Sequence, residues 1–166
     1  NLKIHMEIGE QRDRDVLTDL YNRNRYERDL KEDLPKHIEN LACIYIDVNG
    51  LHEINNTEGH DQGDIMLKTV AEEIRNCFAI EYLYRTGGDE FIVFLPEKGE
   101  TKAKLLCGEL EKKLSEKGYH ISVGIQWERD VLSLADMIKA AEKKMYAEKK
   151  RYYEAGDGER RRTARR

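Results

Sequence analysis

The sequence predicts an α/β fold in which a largely antiparallel central sheet is flanked by helices. Three observations carry that expectation. Short apolar runs rich in β-branched and aromatic residues are interspersed with longer segments of helical period. Two of those runs, at 80–84 and 91–95, are joined through a Gly-Gly pair, which reads as a hairpin and hence as an antiparallel pairing. The chain of 166 residues, 39% hydrophobic and 37% charged, suits one domain with its own core and a polar exterior of amphipathic helices.

Taken in order, residues 2–15 read as a helix with sparse apolar positions at Leu2, Met6 and Ile8. A chain that begins inside a helix suggests a domain of a longer protein. Residues 25–34 read as helical and stop before Pro35, which disfavours helical backbone in the residue ahead of it. The run 41–48 has the length and β-branched content of a buried strand. A helix near 50–57 ends at Gly59, and Asp61 is expected to cap another at about 62–77. The hairpin spans about 81–95, with Gly87 and Gly88 able to take positive φ without a Cβ clash. The segment 102–117 reads as a helix presenting Leu105, Leu106, Leu110 and Leu114 on one face and stopped by Gly118. A strand at 119–127 leads to a helix at about 133–150, started by Ser133, with Leu134, Met137, Ile138 and Met145 as core positions. The expected organisation is a linker or signalling helix at 1–14, one catalytic domain at 15–153 and a flexible basic tail at 154–166, whose last eight residues hold five arginines.

Composition removes several function classes. A net charge of −4 gives no nucleic-acid footprint. Cys43, Cys77 and Cys107 are odd in number and lack metal-type spacing, so they read as free, largely buried thiols of a reducing compartment. No run approaches the length of a membrane span and no secretory signal is present, which points to a cytoplasmic domain whose parent could still be membrane-anchored.

The chemistry concentrates at Tyr84-Arg85-Thr86-Gly87-Gly88-Asp89-Glu90-Phe91. Bare backbone at the two glycines lets a ligand approach, and two carboxylates follow at once. An ordinary surface hairpin with solvated acids would carry the same residues. A second acid, Asp47, closes the buried run Leu41-Ala42-Cys43-Ile44-Tyr45-Ile46-Asp47-Val48. On its own it is a turn starter or helix cap. Paired with Asp89 it is a carboxylate site for Mg²⁺, which takes one or two carboxylates plus phosphate and water oxygens.

These residues resemble a GGDEF domain, the catalytic domain of diguanylate cyclases. The signature is Gly87-Gly88-Asp89-Glu90-Phe91, preceded by Arg85. Asp15-Val16-Leu17-Thr18-Asp19-Leu20-Tyr21-Asn22-Arg23 is similar to the family's D-x-L-T-x-L-x-N-R segment. Asp47-Val48-Asn49-Gly50-Leu51-His52-Glu53-Ile54-Asn55-Asn56 and Gly59-His60-Asp61-Gln62-Gly63-Asp64 resemble its nucleotide-binding stretch. Ser122-Val123-Gly124-Ile125 and Ala141-Glu142 through Met145-Tyr146 complete a match over about residues 14–150.

The resemblance implies a fold related to the palm of nucleotide cyclases and polymerases. It implies condensation of two GTP molecules into cyclic di-GMP with loss of two pyrophosphates, across a homodimer commanded by an upstream sensor domain. Mg²⁺, with Mn²⁺ as an alternative, would be held by Asp47 and Asp89 and by the Val48 carbonyl. Asp89 would help to deprotonate the attacking 3′-hydroxyl, and Glu90 would assist. Gly50 and Leu51 would offer backbone N–H groups to phosphate, beside Gly87 and Gly88. Asn55 and Asp64 would read guanine, His60 would lie near the nucleotide, and Lys149 would bind phosphate. An acid at position 64 suits guanine because it accepts from N1–H and the 2-amino group, a donor pair that adenine lacks. Helix capping is the plainer role for Asn55 and Asp64.

Three departures from the family pattern qualify these expectations. His52 stands where a lysine is usual, and a histidine is only partly charged near neutral pH. Phe78-Ala79-Ile80-Glu81 replaces the R-x-x-D of the family's product-inhibition site, so tight feedback inhibition there is not expected. Tyr153 stands where the last helix usually has an arginine. A GTP-binding regulatory domain with weak or no turnover is therefore the alternative reading.

Overall fold

The longest apolar run becomes the strand around which the rest assembles. β1 (Asn40–Val48) pairs antiparallel with β3 (Glu90–Pro96) on one side and with β4 (Ile121–Arg129) on the other. β2 (Leu83–Arg85) lies on the far side of β3, so the four-stranded antiparallel sheet has the order β2-β3-β1-β4. The protein is described by a computed structural model covering residues 12–79 and 81–164. The helix expected at 2–15 therefore falls largely outside the described residues, as does Ile80.

Residues 41–48 of β1 are all buried, because both faces of the sheet are covered. That is why the strand reads as a continuous apolar run rather than an alternating one. Side chains still alternate along it. Ala42, Ile44, Ile46 and Val48 join one core with Met66, Val70 and Ile74 of α3 (His60–Phe78) and with α4 (Gly99–Glu116). Leu41, Cys43 and Tyr45 join a second core with Tyr26 of α1 (Arg23–Glu32) and with Met137, Ala141 and Met145 of α5 (Leu134–Ala164). The same period of two places Asp47 on the α5 face.

Side-chain caps start two of the helices. The Asn22 side chain accepts from the Arg25 N–H at 3.0 Å and starts α1. Pro35 falls in a short 3₁₀ turn, Leu34–His37, after α1 has ended. Ser133 Oγ accepts from the Asp136 N–H at 3.2 Å at the head of α5. The expected Asp61 cap is not used: α3 begins at His60, behind Gly59 at φ +92°, and follows directly on α2 (Leu51–Glu58). On α4 the buried stripe is Ala103, Cys107, Leu110 and Leu114, whereas Leu105 points outward. Of the four leucines expected on one face, Leu110 and Leu114 are buried, Leu106 packs partly buried against the core and Leu105 is exposed; Ala103 and Cys107 complete the stripe. α5 runs to Ala164, through the stretch expected to be a tail. Phe78 is buried in the first core. Cys43, Cys77 and Cys107 are free thiols. Among the described residues no helix is long and apolar enough to cross a membrane.

Gly124 of β4 shows how closely α5 lies on the sheet. A Cβ there would overlap the Ala141 carbonyl oxygen and the Met145 backbone nitrogen. Only glycine lets the helix axis approach the strand this nearly, and that approach sets the height of every α5 side chain above the sheet.

Candidate active site

Asp47 is the penultimate residue of β1, opposite Glu90 of β3 and Ser122 of β4. Just beyond it the strand end is pinned on both sides. The Val48 N–H donates to the Asp89 carbonyl at 2.9 Å, and the Asn49 N–H donates to the His120 carbonyl at 2.9 Å. Backbone pairing therefore brings the two acids singled out in the sequence to one end of the sheet. Asp47 is 3% exposed, and its Oδ1 accepts no well-angled hydrogen bond. Lys149 of α5 places its ammonium 3.1 Å from that oxygen.

The electrostatics follow from this placement. Burial pushes the Asp47 carboxyl up from 3.8 to about 6; Lys149 opposes the rise and the neighbouring Asp89 charge adds to it. The Lys149 ammonium, which burial alone would make easier to deprotonate, is held above its ordinary value by Asp47.

Asp89 belongs to the connection 86–89 between β2 and β3. Gly87 and Gly88 are not among the glycines with positive φ, so the left-handed turn expected from the Gly-Gly pair does not form. The longer connection relieves the need for it, and the glycines serve instead as open backbone. A Cβ on Gly88 would meet nothing within 4 Å. The connection is clamped from outside. Arg85 donates to the Gly88 carbonyl at 2.8 Å and to Asp15 at 3.0 Å. Asp15 also accepts from the Thr18 N–H at 2.9 Å and from its hydroxyl at 2.7 Å. The D-x-L-T segment is thereby tied to the glycine connection. Glu90 opens β3, and its Oε2 accepts from the Tyr45 hydroxyl at 3.0 Å.

The amino end of α2 faces the same strand end. Gly50 adopts φ +79°, which starts the helix immediately after β1 without a side-chain cap. Its N–H donates to the Tyr153 hydroxyl at 3.2 Å. Leu51 is half-buried behind it. His52 is exposed, and its Nε2 lies 3.0 Å from Asn56 Nδ2 on the same helix. Asn55 packs over Gly63 of α3, where a Cβ would overlap the Asn55 Oδ1. His60 and Asp64 are exposed on α3 and four positions apart, hence neighbours on its surface. The candidates thus form two groups: the acids, Lys149 and the Gly50 N–H at the strand end, and Asn55, His60 and Asp64 along the α2–α3 pair.

Sequence reasoning missed three contacts. Tyr153 on Gly50 spans 103 positions and carries no local signal. Tyr45 on Glu90 follows from period two once the β1–β3 register is known. The Arg85–Asp15 pair was within reach, since both residues lie in motifs already noted.

Among the described residues, no three His, Cys, Asp or Glu side chains gather as a metal cage. The donor set is sparser: a backbone carbonyl at Val48 and the two carboxylates of Asp47 and Asp89, of which Asp47 Oδ1 is buried, weakly partnered and faces a cation. Such a set fits a magnesium ion that draws its remaining ligands from phosphate and water.

The family model described as "Diguanylate cyclase, GGDEF domain" matches residues 12–154. A probable diguanylate cyclase of Escherichia coli K12, DgcJ, is 29% identical over 90% of this chain and 32% of its own length. Diguanylate cyclase A of Treponema denticola is 31% identical over 67% of this chain and 33% of its own. The chain spans about a third of the length of these curated relatives. The coiled-coil and GGDEF domain of DgcB from Caulobacter crescentus, solved with c-di-GMP, superposes with a TM-score of 0.82 at 22% identity, covering 90% of this chain and 87% of that one.

Proposed function

This chain belongs to the GGDEF family of diguanylate cyclase domains, and on that premise we propose that it condenses two GTP molecules into cyclic di-GMP and two pyrophosphates. The observation that carries the reading is the meeting of Asp47 and Asp89 at one sheet end, with the Asp47 Oδ1 buried and turned toward a cation.

The roles divide by position. Asp47, Asp89 and the Val48 carbonyl would hold the divalent ion, Mg²⁺ with Mn²⁺ as an alternative. When bound, that ion neutralises phosphate charge and favours the ionised 3′-hydroxyl. The Gly50 and Leu51 N–H groups at the head of α2 receive phosphate oxygens, helped by the helix dipole. The open backbone at Gly87 and Gly88 lets the nucleotide lie close to the sheet. Lys149 follows the phosphates as a positive point charge. Asn55, His60 and Asp64 frame the base, and an Asp64 acceptor left without its guanine donors would penalise ATP.

One domain supplies one GTP and half of the reacting pair. The 3′-hydroxyl of one nucleotide attacks the α-phosphorus of the other. A new O–P bond forms, the α–β bridging bond breaks and pyrophosphate leaves. Asp89 takes up the hydroxyl proton with Glu90 beside it, and His52 tempers charge from the α2 side. Holding both nucleotides in line supplies much of the acceleration, so pairing of two domains by an upstream sensor is the control point.

Incubation with GTP and Mg²⁺ at rising protein concentration, followed by chromatography for cyclic di-GMP, tests this. The expected rate rises more steeply than protein concentration, and Asp89→Ala is inert. Equal activity of the two proteins would sink the mechanism.

A second reading is favoured by two observations. His52 is held by Asn56, and the Gly50 N–H is held by Tyr153. A domain with its phosphate donor occupied and no lysine at position 52 would bind GTP and regulate a neighbouring domain without turnover. Saturable GTP binding with no product at the highest protein concentration would select it.

A further inference from the structure

The Gly50 N–H is the first backbone donor at the head of α2, and it is already spoken for by an oxygen. That oxygen is the Tyr153 hydroxyl at 3.2 Å, delivered from α5. One turn earlier on the same helix, Lys149 sets its ammonium 3.1 Å from Asp47 Oδ1. Positions 149 and 153 are four apart and share a helix face. α5 therefore brings an oxygen to a phosphate-type donor and a cation to a metal-type acceptor, in one stroke.

The surroundings fit a replaceable contact rather than a structural one. A Cβ on Gly50 would meet nothing within 4 Å, so the backbone beside the donor is uncrowded, and the Gly50–Tyr153 hydrogen bond is itself exposed. Tyr153 is 39% exposed. Its ring stands edge-on to Tyr152 at 5.3 Å between centroids, and Tyr152 in turn lies 5.7 Å from the His120 ring. Tyr153 lies outside the two buried cores.

We infer that the Tyr153 hydroxyl is a built-in competitor for the phosphate oxygen of the nucleotide, and that it sets how tightly this chain holds its substrate. The inference deepens the proposed function and rests on it. An anionic phosphate oxygen makes a stronger bond to the Gly50 N–H than a neutral hydroxyl does, so the nucleotide wins the site. It wins at reduced affinity, because the tyrosine contact must first be surrendered. Tyr153 acts here through Gly50 and is a positioning residue.

A neutral hydrogen bond of this kind corresponds to a change of about two- to tenfold in Kd. The test uses the whole chain with GDP and Mg²⁺, a probe that binds without reacting, and calorimetric titration. Tyr153→Phe keeps the ring and removes the competing oxygen. Its expected Kd for GDP is about two- to tenfold lower than that of the parent, with an unchanged melting temperature. In parallel, the Gly50 amide signal of the nucleotide-free protein moves in Tyr153→Phe and its hydrogen exchange quickens.

Equal or weaker GDP binding by Tyr153→Phe overturns the inference while leaving the nucleotide reading standing. An unmoved Gly50 amide overturns it as well. Failure of both proteins to bind GDP sinks the nucleotide reading, and this inference with it. In the cyclase assay the same variant lowers KM and spares kcat; a merely structural tyrosine would lower stability and leave KM alone.

Discussion

Replacing Asp47 by asparagine is expected to stabilise the nucleotide-free protein and to abolish its response to magnesium. Asp47 is a buried carboxylate whose pKa is raised from 3.8 to about 6, by burial first and by Asp89 in the same direction, against the pull of Lys149. The folded form therefore binds a proton more tightly than the unfolded chain does. Stability must fall as pH rises from near 4 to near 6, and the full penalty remains above that window. At about 1.4 kcal/mol per pH unit, the rise corresponds to ~3 kcal/mol, with the attraction of Lys149 already netted off. Asparagine keeps the shape and carries no charge. Urea unfolding of the two proteins should show near-equal stability close to pH 4 and an advantage for Asp47→Asn that grows to about 3 kcal/mol near pH 7. In a protein of this size that is a rise of about 6–12 °C in melting temperature. Added Mg²⁺ should then narrow the gap by stabilising the parent alone, by about 2.7 kcal/mol at a hundredfold excess over Kd. A variant no more stable than its parent near pH 7, or a gap that does not change with pH, would refute the reasoning.

Other perturbations test how the site is held. Gly124→Ala should cost about 3 kcal/mol or more in urea unfolding, because the new methyl overlaps backbone atoms of α5 that cannot rotate away. Asp29→Ala should cost about 2–3 kcal/mol by the same measurement, since it strands the buried Tyr84 hydroxyl, which donates to Asp29 at 2.6 Å, and leaves the Arg25 guanidinium only its longer 3.3 Å pairing with Asp13; Asp29→Asn, which keeps an acceptor for Tyr84, should cost less. Gly63→Ala should leave the melting temperature within a few degrees, because the atom it displaces is the far end of the Asn55 side chain. On the guanine reading it should raise KM for GTP and weaken the preference over ATP in a competition assay.

Much of the sheet was legible because its signals are local and redundant. The run at 41–48 is apolar and β-branched throughout, and a strand buried on both faces has no other way to look. The hairpin was legible from two apolar runs meeting at glycine, although the conformation assigned to those glycines was not. Alternation along β1 then fixes the face of Asp47, and antiparallel pairing with β3 fixes that Asp89 arrives at the same end. What stayed hidden depends on distances along the chain that no period records. The α4 stripe was legible at Leu110 and Leu114 but not at Ala103 and Cys107, because an alanine and a cysteine stand out less than the exposed Leu105 in a hydropathy pattern, while close packing selects the smaller pair. Tyr153 looked like the loss of a basic phosphate ligand, and only its meeting with Gly50 turns that loss into a contact.

The strand end also explains why such a site carries its own cation. A carboxylate 3% exposed and lacking a well-angled hydrogen bond is tolerable only with positive charge beside it. In the nucleotide-free protein Lys149 is that charge, reached because Gly124 lets α5 lie close to the sheet. On the proposed function, Asp47 would give that oxygen to a divalent ion, and the Lys149 ammonium would then be left for phosphate. Metal and nucleotide should therefore bind with positive coupling, and Lys149→Met should weaken that coupling by removing the group that changes partners. Calorimetric titration of GDP with and without Mg²⁺ measures it: the Mg²⁺-dependent gain in affinity should be larger in the parent than in the variant. An equal gain in both would mean that Lys149 merely fills space at the end of β1.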